Sequence, residues 1–183
     1  KTVFFGLDAK NDFYAKNIKN SGDGKVLATL CFDNNNIDVE IPAIGTYMVT
    51  NALAAAAAGK LLGLTDEEIA NGVASYKTVG SRANVINTGK IKIIDDCYKA
   101  NPTSVRASLD TLSNLDGRKV AILGDMKELG SEELKLHFDT GVYAKLKDIG
   151  TVITVGELAK ELAKGADGKA FDTTEDAKPD ILK

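Results

Sequence analysis

The stretch KIIDDCYKANPTSVRASLD, residues 92–110, sets the fold question, because an apolar run ends in two aspartates and a helical pattern follows at once. Asn101 and Pro102 are a typical N-cap and first-turn pair for that helix. Apolar runs recur at 119–125 and 151–156, and helices are predicted at about 102–114, 131–148 and 157–164. Alternating apolar strands and helices predict a mostly parallel, Rossmann-like sheet covered on both faces.

Two further patterns lie in the same part of the chain, from residue 92 onwards. KAFD, residues 169–172, is predicted to begin a fourth strand, and a helix start follows it. Within the helix at 131–148, Leu134, Phe138, Val142 and Leu146 recur every fourth residue, which predicts one buried stripe.

The first 45 residues follow a different pattern. Four runs rich in β-branched and aromatic residues are separated by turn residues, and they predict an antiparallel meander: 2–7, 12–18, 25–32 and 37–43. An alanine-rich helix is predicted at 48–62. Another begins at Thr65, where Glu68 completes a capping box.

The segment KTVGSR, residues 77–82, is the best linker candidate. It divides the chain into a first domain at 1–78 and a second, α/β domain at 79–183. Because the sequence begins with Lys1 and ends just after a helix start, we expect it to be a piece of a longer protein and its second domain to be truncated.

The composition excludes several classes of function. The chain has 183 residues, 44% hydrophobic, with a net charge of −3 and no cluster of basic residues, so it gives no support for nucleic-acid or membrane-surface binding. Cys31 and Cys97 lack metal-ligand spacing and fit a reducing compartment. The sequence shows no signal peptide or membrane span, and we expect a cytoplasmic protein.

The double aspartate suggests a ligand site. Ligands of open parallel sheets bind beyond the carboxyl ends of the strands, where we expect Asp95, Asp96 and Asp125. Free N–H groups at a helix start beside carboxylates suit a ligand with hydroxyls or a Mg²⁺-bound phosphate. In the alternative interpretation, the carboxylates only accept hydrogen bonds from loop N–H groups.

A phosphoacceptor receiver domain is a rival interpretation, in which the acid pair holds Mg²⁺ and Asp125 is the third acid, which takes the phosphoryl group. Asp125 ends the very next strand, however, whereas a receiver places another strand–helix unit between, and a receiver has no use for the first 80 residues. The sequence also lacks the Asp-x-Asp motif of haloacid-dehalogenase-type phosphatases and the G-x-x-x-x-G-K-[ST] phosphate loop.

Four single residues have both a structural and a functional interpretation. Asn51, expected to be a buried amide in the alanine-rich helix, either helps to cap it or faces a base edge. Arg82 is solvated or meets a phosphate when the domains close. Tyr98 stacks on a ring or packs in the core, and we interpret His137 as structural.

Four segments of the chain resemble the Mur ligase family, and the likeness runs over residues 2–183. They are FGLDAKNDFYAKNI (5–18), IGTYMVTNALAAAAAGKLLGL (44–64), the linker arginine with IIDDCYKANPTSVRASLDTL (93–112), and KVAILGDMKELGSEELKLHFDTG (119–141). The last two are similar to segments of the member that adds D-alanyl-D-alanine to a UDP-N-acetylmuramoyl-tripeptide. Other amino-acid-adding ligases of the family, including folylpolyglutamate synthetases, remain alternatives.

The resemblance implies a fold and a reaction. It implies the last part of an ATP-binding central domain followed by a Rossmann-like C-terminal domain that closes on it. ATP, with Mg²⁺, would phosphorylate the tripeptide carboxylate, and the amine of D-alanyl-D-alanine would attack the acyl phosphate. Because the phosphate loop is absent, we expect the 183-residue chain alone to fold without catalysing. We expect a monomeric parent protein.

The resemblance also assigns ATP contacts by motif. Asn51 would meet the adenine, Arg82 the phosphates and Asp96 the ribose hydroxyls, while Tyr98 and Asn101 would shape the same loop. The chain departs from the family pattern at Tyr47 and Met48 in place of His-Asn, at Asn84 in place of an acid, at Cys97 in place of Ser and at Lys99 in place of Asn.

Overall fold

The computed structural model describes residues 2–21 and 24–182 and divides into two compact units, Lys1–Asp95 and Asp96–Lys183. Antiparallel strands with helices form the first unit, and a parallel three-stranded sheet with helices forms the second. The predicted fold class is therefore confirmed. No helix within 2–21 and 24–182 is both long and apolar enough to cross a membrane.

The first unit contains the predicted meander. Strands β1 (Tyr14–Asn20), β2 (Val26–Phe32) and β3 (Asn35–Ile41) pair antiparallel in the order β1-β2-β3. The strand predicted at residues 2–7 is wrong, because only an isolated bridge between Phe5 and Phe13 is present there. The backbone N–H of Phe4 donates to the Asp12 carboxylate instead of to a strand partner.

Two helices follow the meander. Helix α1 (Met48–Leu61) buries Val49, Leu53 and Ala56 in one core with the inward-facing residues of the three strands. Helix α2 (Asp66–Ala74) begins at the predicted capping box, in which the Glu68 N–H donates to the Thr65 side chain and the Thr65 N–H donates to the Glu68 carboxylate.

A two-stranded hairpin closes the first unit and corrects the interpretation of 92–95 as a buried parallel strand. β4 (Asn84–Asn87) and β5 (Lys92–Asp95) pair antiparallel with each other and with no other strand of the described chain. Ile91 and Ile93 are 61% and 41% exposed. The cause is local: Gly89, at φ +84°, allows a tight turn that pairs this run with the segment just before it.

The second unit begins with helix α3 (Pro102–Ser113), which leads to strand β6 (Val120–Gly124). A short 3₁₀ turn (Gly130–Glu132) precedes helix α4 (Glu133–Leu146) and strand β7 (Thr151–Val155). Helix α5 (Ala159–Ala166), strand β8 (Lys169–Phe171) and helix α6 (Thr174–Ile181) complete the unit. The strands are parallel in the order β6-β7-β8, which confirms the alternation and the strand at KAFD.

The buried stripe predicted on α4 is wrong. Leu134, Phe138 and Leu146 are 54%, 42% and 77% exposed, and the buried face carries His137, Thr140, Gly141 and Ala144. Gly141 and Gly165 decide this, because they let the backbones of α4 and α5 touch. A Cβ atom at Gly141 would lie 2.0 Å from the carbonyl oxygen of Leu162.

Candidate functional site

The loop 96–101 is anchored on helix α3 at both ends. The hydroxyl of Ser108 donates to the Asp96 carboxylate at 2.5 Å. At the other end the Asn101 Oδ1 accepts the Ser104 N–H at 3.0 Å, and the Asn101 N–H donates to the Ser104 Oγ at 3.1 Å. The predicted N-cap is thus confirmed. Between these anchors Tyr98 is 65% exposed.

A second loop, 125–129, follows strand β6 and is held from inside. The Asp125 carboxylate accepts the Ala159 N–H at 2.8 Å, and the Nε2 of fully buried His137 accepts the Met126 N–H at 2.9 Å. The Nδ1 of His137 lies 2.7 Å from the Glu133 carbonyl oxygen. Since a carbonyl only accepts and an N–H only donates, the proton of the neutral imidazole is on Nδ1.

His137 therefore has the structural role that its sequence position indicated. The sequence did not reveal its target, the backbone of the loop 125–129. A signal was present, because the histidine lies in the same segment as GDMKELG and its spacing places it on the next helix.

The two loops contact each other. The Lys99 Nζ lies 2.7 Å from the Glu128 Oε2, across 29 residues of sequence. This hydrogen bond raises the pKa of Lys99 and lowers the pKa of Glu128. The side chain of Met126, in the loop 125–129, is buried in one core with Val105 and Leu109 of α3. Two segments singled out in the sequence thus form one wall, the loops 96–101 and 125–129, and Lys99 makes the link between them.

The position of Asp125 contradicts the interpretation of the second unit as a receiver domain. The Asp125 carboxylate holds the start of α5 and fills the space over Gly156, where a Cβ atom would lie 2.4 Å from its Oδ1. In the described part of the chain, no three His, Cys, Asp or Glu residues are grouped so that they could hold a metal ion. Asp125 therefore orders the loop instead of presenting a carboxylate for phosphorylation.

The remaining predicted ATP contacts, Asn51 and Arg82, lie in the first unit. The expectation of a buried amide at Asn51 is wrong: the residue is exposed, and its Nδ2 donates to the Met48 Sδ at 3.4 Å. The reason is that α1 turns Val49 and Leu53 towards the sheet and leaves Asn51 on its outer side. Arg82 is exposed in the segment between α2 and β4.

Two protein-family models match this chain. Residues 1–59 match the family model described as the Mur ligase middle domain, and residues 81–181 match the model described as the Mur ligase, glutamate ligase domain. The chain belongs to the Mur ligase family. The resemblance noted in the sequence is thereby confirmed, and both loops of the wall lie inside the second match.

Individual Mur ligases are also similar to this chain in sequence and in structure. The UDP-N-acetylmuramoyl-tripeptide–D-alanyl-D-alanine ligase of Bacillus subtilis is 34% identical over 91% of this chain and 36% of its own length. A crystal structure of MurF from Acinetobacter baumannii superposes with a TM-score of 0.92 at 31% identity, over 98% of this chain and 39% of that one.

A third relative, the MurF ligase of Thermotoga maritima in complex with ADP, has a TM-score of 0.83 at 24% identity, over 98% of this chain and 41% of that one. At that identity the likeness shows the fold alone. The chain thus spans little more than a third of the length of these Mur ligases.

Proposed function

We propose that this chain acts within a longer Mur ligase that joins D-alanyl-D-alanine to a UDP-N-acetylmuramoyl-tripeptide in peptidoglycan precursor synthesis, with ATP as co-substrate. The observation that carries the proposal is the wall formed by the loops 96–101 and 125–129, which the Lys99–Glu128 contact joins. These loops hold DDCYKANP and GDMKELG, the two segments that resemble this member of the family. The Bacillus subtilis relative that carries this name supports the same choice.

The geometry of Asp96 suits a sugar hydroxyl. Its carboxylate already accepts a hydroxyl hydrogen bond from Ser108, which fixes its orientation. A fixed carboxylate is a strong acceptor for further hydroxyl groups. Asp96 would therefore bind the ribose of ATP, with the exposed ring of Tyr98 beside it and Asn101 holding the end of the loop.

Asn51 and Arg82 are proposed as contacts from the first unit. The exposed amide of Asn51 would meet the adenine, and the exposed guanidinium of Arg82 would meet the phosphates. ATP would supply the phosphoryl group that activates the tripeptide carboxylate. Mg²⁺ bound to the phosphates of ATP is proposed as the cofactor of the full-length protein.

The test is dipeptide-dependent phosphate release by the full-length protein. It is mixed with ATP, Mg²⁺ and the nucleotide-linked tripeptide, with and without D-alanyl-D-alanine. We expect release only with the dipeptide. Single amino acids offered in its place, including glutamate, separate this ligase from other amino-acid-adding family members. Equal release with a single amino acid, or none with the dipeptide, would contradict the proposal.

Substitutions then test the residues. Losing a hydrogen bond to a charged group typically costs about 1.5–3 kcal/mol, so Asp96→Ala is expected to raise KM for ATP at least about tenfold. Asp116→Ala is a matched control, since Asp116 is an exposed acid in the loop before β6, at the opposite end of the parallel strands. An unchanged KM for ATP in Asp96→Ala would remove Asp96 from the site.

The 183-residue chain by itself provides a second test. It lacks the phosphate loop, so we expect no ATP hydrolysis from the purified chain at any concentration of dipeptide. Hydrolysis that persists through purification and disappears in Asp96→Ala would show that these residues alone hold a complete site.

A further inference from the structure

We propose that Met48 is a positioning residue, whose sulfur holds the Asn51 amide in the orientation that matches adenine and thereby favours ATP over GTP. The inference rests on the proposed function, because Asn51 is the proposed contact to the adenine of ATP. It goes beyond that function in giving a role to a buried methionine and in stating how the purine base is selected.

Within residues 2–21 and 24–182, the Asn51 amide has one hydrogen-bond partner, the sulfur of Met48. The Nδ2 donates to the Met48 Sδ at 3.4 Å, and the two residues are three apart on α1, a spacing that places their side chains on one face. Asn51 is exposed, whereas Met48 is only 9% exposed and packs in the core of the first unit. The buried sulfur is thus the fixed end of the contact, and the exposed amide is the end that it orients.

A thioether determines which end of the amide it meets. The sulfur of methionine accepts hydrogen bonds and cannot donate them, so it pairs with the Nδ2 of Asn51 and not with the Oδ1. A flipped amide would bring the Oδ1 against the sulfur, and two acceptors would then face each other. Met48 therefore selects one of the two orientations of the amide, and it leaves one N–H and the Oδ1 for a ligand.

The remaining donor and acceptor of Asn51 match adenine and not guanine. Adenine presents an acceptor at N7 and a donor at its 6-amino group, which pair with an amide N–H and an amide oxygen, whereas guanine presents two acceptors, N7 and O6. In the fixed orientation the Oδ1 would face the O6 of guanine, which is unfavourable. An amide released from Met48 can turn its Nδ2 towards O6, so the discrimination between the two bases becomes weaker.

The experiment measures, by calorimetry, the Kd of β,γ-methylene-ATP and of β,γ-methylene-GTP for the full-length protein. Met48→Leu keeps an apolar side chain of similar volume in the core and removes the acceptor. Ordering one side chain on binding typically costs about two- to tenfold in affinity, so we expect Met48→Leu to raise the Kd of the ATP analogue by that factor. The Kd of the GTP analogue should stay unchanged or fall, whereas a general disturbance of α1 would raise both values.

A double-mutant cycle tests whether Met48 acts through Asn51. Asn51→Ala removes the hydrogen bonds of the amide and should raise the Kd of the ATP analogue about two- to tenfold. Adding Met48→Leu to Asn51→Ala should change the Kd no further, because the amide that Met48 orients is then missing.

Leu53→Met is the matched control. Leu53 is fully buried on α1 in the same core as Met48 and lies two residues from Asn51, a spacing at which helix side chains do not face each other. The exchange is the reverse of Met48→Leu, and both are expected to change thermal unfolding little. We expect Leu53→Met to leave the Kd of both analogues unchanged.

The outcomes separate the two proposals. Met48→Leu protein that binds the ATP analogue as tightly as wild type, or that weakens both analogues by the same factor, overturns the positioning role. An effect of Met48→Leu that is equally large in the Asn51→Ala background also overturns it. Wild-type protein that binds the ATP analogue but releases no dipeptide-dependent phosphate overturns the proposed function, while the cycle still decides the role of Met48.

Discussion

Replacing Gly141 by alanine tests the close crossing of helices α4 and α5. An ideal Cβ atom at this position lies 2.0 Å from the carbonyl oxygen of Leu162 and 3.0 Å from the backbone nitrogen of Ala166. Real Cβ atoms essentially never approach another heavy atom closer than 3.0 Å, so the crossing must open by about 1 Å. The obstacle is backbone, which cannot turn aside as a flexible side chain can.

Two terms of opposite sign decide the magnitude. Overpacking typically costs about 1–3 kcal/mol, and a clash with backbone belongs at the upper end of that range. Exchanging glycine for alanine inside a helix gains about 1 kcal/mol. We therefore expect Gly141→Ala to lower the free energy of unfolding of the second unit by about 2 kcal/mol.

Gly72→Ala is the matched control. Gly72 lies in helix α2, and a Cβ atom there would meet no atom within 4 Å. Only the helix-propensity term remains, so this variant should be stabilised by about 0.5–1 kcal/mol. The same substitution in two helices is thus expected to have opposite signs.

Urea unfolding followed by circular dichroism provides the measurement, and hydrogen exchange of the α4 and α5 amides assigns the loss to this crossing. Gly165→Ala should behave like Gly141→Ala, because its Cβ would lie 2.2 Å from the carbonyl oxygen of Phe138. A Gly141→Ala variant as stable as wild type would refute the reasoning. It would mean that the helices separate without loss of packing.

Three further predictions concern the second unit. His137→Leu leaves the buried N–H of Met126 without its acceptor and should lower the free energy of unfolding, measured in urea, by about 1–3 kcal/mol. His137→Gln keeps an acceptor and should lower it by less. Equal losses for the two variants would contradict the hydrogen-bond explanation. Asn101→Ala removes the cap of α3 and should cost about 1 kcal/mol, while Asn101→Asp should cost little; equal stability of the three proteins would remove the cap from the account. Burial raises the pKa of Asp110, but hydrogen bonds from Lys147 and Tyr143 outweigh this effect and lower the pKa below its usual 3.8. The stability that Asp110 adds is therefore present above pH 3.8 and is lost as the pH falls through the lowered pKa. Acid unfolding of Asp110→Asn should be less steep than that of wild type, and identical profiles would refute this.

Local signals in the sequence predicted much of the fold. The capping box at Thr65 and Glu68 and the cap at Asn101 are determined within four residues, so a sequence pattern is sufficient to find them. The meander likewise follows from turn residues between β-branched runs. The family was also predicted correctly and the two candidate loops were singled out, because short sequence motifs are sufficient to recognise them.

Periodicity could not predict which face of α4 is buried. Leu134, Phe138 and Leu146 form the more apolar stripe, yet they are exposed. The buried face is set by Gly141 against α5, and its polar residue His137 is compatible with burial only because its acceptor atom meets the Met126 N–H. Both conditions depend on a partner that is remote in sequence.

By itself, then, the sequence determined the helices, their caps, the alternation of the second unit and the family. Tertiary structure alone decided that α4 packs through glycine and that Lys99 meets Glu128. The physical reason is the separation in sequence between the groups that interact. Caps and turns are satisfied by backbone groups a few residues away, whereas pairing, close packing and ion pairs depend on which distant atoms the folded chain brings within a few ångströms.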